Sequence, residues 1–292
     1  MKVLLTNNQL YMPGGTETSV LTMSRELLRR GFYVDVFTTD IGEFSRQFEC
    51  AVTDDVENLD DEYDLILVNH KTCWEEIRGI GGTKVYTSHS VVIDELEGFP
   101  DDASIRVAVS EEIAKARGGA KVINNGIDLR GYRSMRPAIG NKVLYLGKAY
   151  ETKTFDVIRQ ACKGMDLTIS GHRAVTPKII NDHDVVIGYG RAVLEGLACE
   201  RKVISADCRP YVSEDKVIGG GMVSRQNFDE LKLHNFTGRG NPIAFTPETL
   251  RAEIEKPFES LRDRVEEYNV VRVVDQYLGF LDNHLTEEGY YA

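Results

Sequence analysis

The run Val185-Val186-Ile187 is a short apolar stretch of strand type that breaks at two glycines one residue apart, Gly188 and Gly190. It then resumes as Arg191-Ala192-Val193-Leu194-Glu195-Gly196-Leu197-Ala198. Few architectures accept that pattern: it predicts a buried strand, a tight turn and the N-terminus of a buried helix. Two charges sit where packing alone would not put them. Arg191 opens the helix, where the macrodipole favours an anion, and Glu195 lies within an otherwise apolar helix. A polyanionic ligand resting on the turn accounts for both, with Arg191 answering its charge and Glu195 accepting hydrogen bonds from it one turn on. The same spacing also fits a plain ion pair at i and i+4.

The remainder of the chain repeats the strand and helix alternation. Lys2 to Thr6 reads as a strand, Asn7 to Gly15 as a turn-rich loop, and Val20, Leu21, Met23, Leu27 and Leu28 recur at helical spacing, with Thr16 able to cap that helix and Gly31 closing it. Further strands are predicted at 33–37, 64–68, 84–88, 105–109 and 121–123, each ending in polar residues. In a doubly wound α/β sheet the ligand lies beyond the carboxyl ends of the strands, so those polar ends point toward one site. Gly14 and Gly15 let backbone approach a ligand there, although a plain connecting turn fits them equally. His89, between Ser88 and Ser90, is the histidine placed at such an end. Asp182-His183-Asp184 reads as solvated rather than as a metal cluster, because adjacent residues on an extended segment point to opposite faces.

Residues 131–141 carry Pro137 between two glycines and no apolar periodicity, which marks a domain boundary and a hinge. Strands restart at 142–147 and follow at 166–170, 184–187 and 202–205, predicting a second parallel α/β domain. Lys148 and Lys153 flank its first strand-to-helix turn and suit a diphosphate, although an ordinary solvated loop fits them too. Loop 235–240 either faces that ligand or is a plain turn. With 292 residues and 42% hydrophobic content, two domains with proper cores are expected. A net charge of −11 argues against a nucleic-acid surface. Five scattered cysteines without a CxxC pair suggest neither a disulfide framework nor a zinc site and fit the reduced cytoplasm. The chain starts directly on a strand-like run, and no apolar stretch approaches the roughly 18 residues of a membrane span, so neither signal peptide nor span is expected. No GxGxxG joins the first strand and helix of either half, which counts against a nicotinamide enzyme.

Taken together, Gly14-Gly15, Val109-Ser110-Glu111-Glu112-Ile113, Asn125-Gly126-Ile127-Asp128, the Gly147-Lys148…Lys153 pair and Gly188-Tyr189-Gly190…Glu195-Gly196-Leu197-Ala198 resemble, in order, the landmarks of family-4 glycosyltransferases. The resemblance covers nearly the whole chain. It implies the GT-B fold: two Rossmann-like domains facing across a cleft, an acceptor-side domain over residues 1–135 and a nucleotide-sugar-binding domain over 136–268. A closing helix over about 269–292 would pack back on the first domain. It also implies that Lys148 and Lys153 neutralise the donor diphosphate, that Glu195 binds the ribose as the second glutamate of E-x7-E, and that His89 lies near the donor sugar. Gly14 and Gly15 would match the loop at the phosphates. Ile187 departs from the pattern, standing where the family has the first glutamate.

The implied reaction is transfer of a sugar, with retention, from a nucleoside-diphosphate sugar to an acceptor that is a sugar, glycan, lipid or small molecule. Fixed cations at Lys148, Lys153 and Arg191 would stabilise the leaving phosphate selectively in the transition state, so neither metal nor cofactor is expected. Catalytic roles fall to Lys148, Lys153 and His89, and donor binding to Gly14, Gly15, Gly188, Gly190, Arg191 and Glu195. Two alternatives stay open: an epimerase acting on nucleotide-sugars in the same architecture, and a silent nucleotide-sugar-binding protein.

Overall fold

The computed structural model describes residues 1–147, 153–171, 173–209, 213 and 216–287, with the side chains of 94, 153, 154 and 282–287 left aside. The chain divides into two compact units, Met1–Asp128 with Tyr268–Ala292, and Leu129–Glu267.

The first unit is built on β1 (Lys2–Asn7), β2 (Tyr33–Thr38), β3 (Ala51–Thr53), β4 (Glu62–Asn69), β5 (Gly81–Ser88), β6 (Ile105–Ala108) and β7 (Lys121–Val122), with α1 (Gly15–Arg29), α2 (Lys71–Glu76), α3 (Asp94–Glu97) and α4 (Glu111–Ala116) between them. The strands form one parallel sheet in the order β3-β2-β1-β4-β5-β6-β7. Strand order reverses between β1 and β4, the switch point where a doubly wound sheet opens a crevice. Alternation along the strands covers both faces. Val3, Leu5, Leu65, Leu67 and Val85 pack with Val20 and Leu27 of α1, and also with Val273, Val274 and Tyr277 of the closing helix Val270–Glu287. Leu4, Ile66, Val68 and Tyr86 pack on the other face with Trp74 and Ile77. Gly31, at φ 78°, ends α1 with its N–H on Leu28 O. At the other end of α1 the cap residue is Gly14 and not Thr16, whose hydroxyl instead donates to Glu17 Oε2 at 3.1 Å.

The second unit holds β8 (Lys142–Tyr145), β9 (Asp166–Ile169), β10 (Val185–Gly188), β11 (Lys202–Asp207), β12 (Val217–Met222) and β13 (Ile243–Phe245). Its helices are α5 (Lys153–Ala161), α6 (Pro177–Asn181), α7 (Arg191–Ala198), α8 (Phe228–Leu233) and α9 (Pro247–Glu255), the closing helix of the first unit being α10. Sheet order is β13-β12-β11-β10-β8-β9, with the reversal between β8 and β10. The four strands the sequence predicts, β8 to β11, pair in parallel, and β12, which it does not predict, runs antiparallel to both β11 and β13. The Asp182-His183-Asp184 segment also departs from its solvated reading. Asp184 is buried, ion-paired to Arg136 at 2.7 Å and accepting the Lys142 N–H at 3.0 Å, while Nδ1 of buried His183 meets Ile179 O at 2.7 Å.

Candidate functional site

In the second unit the glycine turn sits at the switch point. Leu146, just past β8, donates its N–H to Ile187 O at 2.8 Å, and Gly188 follows at the end of β10. A Cβ on Gly188 would lie 2.9 Å from the Ala192 methyl and 3.2 Å from Leu146 O, so the turn has no room for one. Gly190 adopts φ 57°, ψ −128°, a conformation open only to glycine, and its N–H meets Phe236 O at 3.4 Å. Loop 235–240 therefore packs against the turn, with Phe236 buried and Ser205 Oγ also donating to its carbonyl. Gly196 lets α7 approach the sheet closely: a Cβ there would be 2.8 Å from Val203 Cγ2.

Arg191 and Glu195 pair with each other. The Nε of Arg191 donates to Glu195 Oε1 at 2.7 Å, with side chains 6% and 8% exposed. Burial pushes the Glu195 carboxyl up, against the opposing pull of Arg191 and of the Tyr132 hydroxyl. The ion pair allowed by their spacing is thus present, directly behind the turn. Ile187 is fully buried among Val143, Tyr145, Phe155 and Ile204, within the sheet rather than at its rim. A side chain at that position faces the core. An ionised carboxylate there would be costly, so the position is an interior one in this chain.

Lys148 lies outside the described residues, and so does the side chain of Lys153, which opens α5. The sequence reading missed a different cation at this end of the sheet. Arg209 follows β11, is held by Asp207 through bonds of 2.6 to 3.0 Å, and stacks 4.0 Å above the Tyr189 ring between the two glycines. Asp207 is 1% exposed. Only an Asp-x-Arg at a strand end could have signalled the pair, and the predicted strand stopped at Ser205.

In the first unit the switch point gathers Asn7, Asn69, His70 and His89. His89 follows β5, and its Nε2 lies 2.9 Å from Asn69 Oδ1. Its backbone N–H donates to Glu97 Oε2 at 2.6 Å, and Glu97 Oε1 lies 3.5 Å from His70 Nε2. His70 has φ 72°, an unusual conformation for a residue other than glycine, and its Nδ1 accepts the Asn8 N–H at 3.1 Å. Burial pushes His89 down to about 4, with the Glu97 charge opposing. Glu97 is held below the usual carboxylate range: burial raises it, and the bonds from His70 and His89 outweigh that. His89 and Asn69 line a cavity of about 30 Å³ together with Ser19, Asn124 and Asn125. Gly14 and Gly15 open α1 at the same end of the sheet, and nothing lies within 4 Å of a Cβ built on Gly15. Sequence singled out His89 but not His70 or Glu97. Among the described residues, no group of three or more His, Cys, Asp or Glu is placed to hold a metal ion, and no helix is long and apolar enough to cross a membrane.

No family model and no curated protein matches the sequence. Solved structures do. The chain is similar to AviGT4, a glycosyltransferase involved in avilamycin A biosynthesis, at TM-score 0.61 and 14% identity over 98% of both chains. It is similar to an alpha-glucosyltransferase solved with UDP and a 13-mer DNA, at TM-score 0.57 and 11% identity over 97% of this chain and 99% of that one. TarM of S. aureus, solved with UDP, alpha-GlcNAc-glycerol and fondaparinux, matches at TM-score 0.55 and 9% identity over 96% and 99%. Two doubly wound α/β units in this order, matched over nearly the full length of glycosyltransferases, give the chain the GT-B fold.

Proposed function

We propose that the chain is a glycosyltransferase of the family-4 type that moves a sugar from a nucleoside-diphosphate sugar to an acceptor, with retention and without a metal ion. The observation that carries this reading is the Gly188-Tyr189-Gly190 turn at the switch point of the second unit, backed by the N-terminus of α7 and the buried Arg191–Glu195 pair. Backbone N–H groups at such a helix start favour an anion, and a diphosphate supplies one. Glu195 would meet the ribose, with Lys148 and Lys153 on the diphosphate. The first unit would supply His89 and the acceptor side. The similar TarM and alpha-glucosyltransferase structures hold UDP, which supports a nucleotide-sugar as the donor. Transfer of this kind needs cations and dipoles placed where the leaving phosphate gains charge.

The test is incubation of the protein with radiolabelled UDP-, GDP- and dTDP-sugars, with and without candidate acceptors, followed by separation of nucleotide, sugar and product. Release of nucleoside diphosphate with a labelled product is expected. An isomerised donor would replace this reading by an epimerase, and donor bound but unchanged by a silent binding protein.

A further inference from the structure

The large apolar side chains that stand exposed on the first unit are not scattered. Among the described residues, Tyr11 and Met12 follow β1, Ile41 follows β2, and Val92 and Ile93 follow β5, while Met1 and Tyr33 stand at the opposite end of the sheet. Strands β2, β1, β4 and β5 are consecutive neighbours, so the first five residues flank the switch point between β1 and β4 on both sides. Exposed apolar residues that occur singly are ordinary. Gathered around the crevice of a doubly wound sheet, they mark a surface that takes an apolar body.

Tyr11, Met12 and Ile41 are held as one platform. Leu10 donates its N–H to Asp40 O at 3.0 Å and Phe44 donates to Tyr11 O at 3.3 Å, which ties the loop after β1 to the loop after β2. A Cβ on Gly42 would lie 2.4 Å from Tyr11 Cα, so the two loops meet backbone to backbone. The Tyr11 hydroxyl is hydrogen-bonded to the Asp40 carboxylate, which fixes the ring while leaving it in solvent. A pinned aromatic ring beside a thioether suits a flat, apolar partner that can stack on it.

Charge selects among apolar occupants. The first unit carries 27 Asp and Glu against 13 Lys and Arg, and the second 19 against 22. Asp40, Glu43 and Glu95 stand within two residues of Ile41 or Ile93, where the sequence has no Lys or Arg. Such a field repels anions, a lipid surface with anionic head groups included, and favours an uncharged molecule.

We propose that the loops after β1, β2 and β5 form an acceptor platform, and that the acceptor is an uncharged, hydroxyl-bearing aromatic molecule whose ring stacks on Tyr11 and Met12. Transfer then joins the acceptor oxygen to the anomeric carbon of the donor and breaks that carbon's bond to the diphosphate oxygen, and the hydroxyl proton leaves with the diphosphate. The acceptor role rests on the glycosyl-transfer reading; the affinity of the platform for a flat uncharged ring does not.

The probe is 2-naphthol, titrated into the full-length protein and followed by its own fluorescence, with 6-hydroxy-2-naphthoate as its anionic counterpart. Saturable binding of 2-naphthol is expected, about three- to tenfold weaker in Tyr11→Ala and in Ile41→Ser, the scale of one lost aromatic or apolar contact. It should be unchanged in Tyr33→Ala, at the other end of the sheet. The naphthoate should bind more weakly than 2-naphthol by about threefold or more. Absence of saturable binding, unchanged affinity in folded Tyr11→Ala, or naphthoate binding as tight as that of 2-naphthol would overturn the proposal. So would binding to vesicles of phosphatidylcholine and phosphatidylglycerol that Tyr11→Ala abolishes. With radiolabelled donors, a labelled naphthyl glycoside is expected. Transfer to a sugar but not to 2-naphthol would overturn the acceptor assignment and leave the glycosyl-transfer reading standing. Absence of transfer to any acceptor would overturn that reading and leave the binding result standing.

Discussion

The Arg191 guanidinium donates to the Glu195 carboxylate across one helical turn, 2.7 Å apart and almost wholly out of water. An ion pair so buried is fragile in one specific way: removing one member leaves the other's charge in a low-dielectric interior. Glu195→Ala should therefore cost about 3–5 kcal/mol of stability. Glu195→Gln, which keeps shape and an acceptor, should cost about 1.5–3 kcal/mol. Denaturant midpoints check both values. Nucleoside diphosphate affinity is then measured by calorimetry in both variants, because glutamine keeps an acceptor for a ribose hydroxyl and alanine does not. Unchanged affinity in a folded alanine variant removes Glu195 from the ribose.

The two glycine loops separate backbone strain from ligand approach. Gly190 needs its unusual dihedrals although a Cβ would find no atom nearer than 3.7 Å, so Gly190→Ala should destabilise by about 1–3 kcal/mol through conformation alone. A methyl on Gly15 meets nothing within 4 Å. Gly15→Ala should leave the melting temperature unchanged and lower turnover, because the methyl occupies space a ligand would use. Full turnover in that variant would make the loop a plain connection.

His89 sets a direction for acid stability. Its folded value is pushed down to about 4 by burial, whereas the unfolded chain takes up that proton near pH 6.5. Between these values the unfolded state holds more protons, so this contribution is fully present above about pH 6.5 and is lost as pH falls toward about 4. Comparing denaturant midpoints at pH 7 and 4.5, the wild type should lose more than His89→Gln. Equal losses would mean that His89 is not held neutral.

The parallel strands other than β3 were legible because a strand covered on both faces reads as an uninterrupted apolar run, as Val3-Leu4-Leu5 and Val185-Val186-Ile187 do. Strand β12 was not, since Gly219-Gly220-Gly221 reads as a loop. Its glycines answer to close packing that no local pattern shows: a Cβ on Gly219 would lie 2.0 Å from Ser205 O, and one on Gly220 2.2 Å from Leu231 Cδ2. The glycine turn and His89 could be read locally because each follows its own strand. The contact of His70 with Glu97, and of Asn69 with His89, joins segments 27 and 20 residues apart and depends on which strands are neighbours. Arg191 shows the limit from the other side, since its spacing from Glu195 allowed both a ligand and an ion pair.

Ile187 departs from the resemblance, and its burial gives that departure a physical meaning. With 0% exposure between Tyr145 and Ile204 it is a core residue. Ile187→Glu, which would restore the sequence pattern, should lower stability by several kcal/mol, since a carboxylate there is desolvated or must take up a proton. It should not raise turnover. A folded variant with higher activity would show that this position reaches the substrate.

Metal dependence tests the charge arrangement as a whole. A divalent ion that holds a diphosphate needs carboxylates gathered at the strand ends, and among the described residues the Glu195 and Asp207 carboxylates at this end are each already bonded to an arginine. Neutralisation of the leaving group then falls to Lys148, Lys153 and the start of α7. Turnover should be complete in excess EDTA. Replacing Lys148 or Lys153 by Ala should lower kcat by roughly 10²-fold, the scale for one lost electrostatic contact in a transition state, and leave affinity for the bare nucleoside unchanged. If chelation abolishes turnover and magnesium or manganese restores it, the lysines do not carry the leaving charge alone and the metal-free mechanism is overturned.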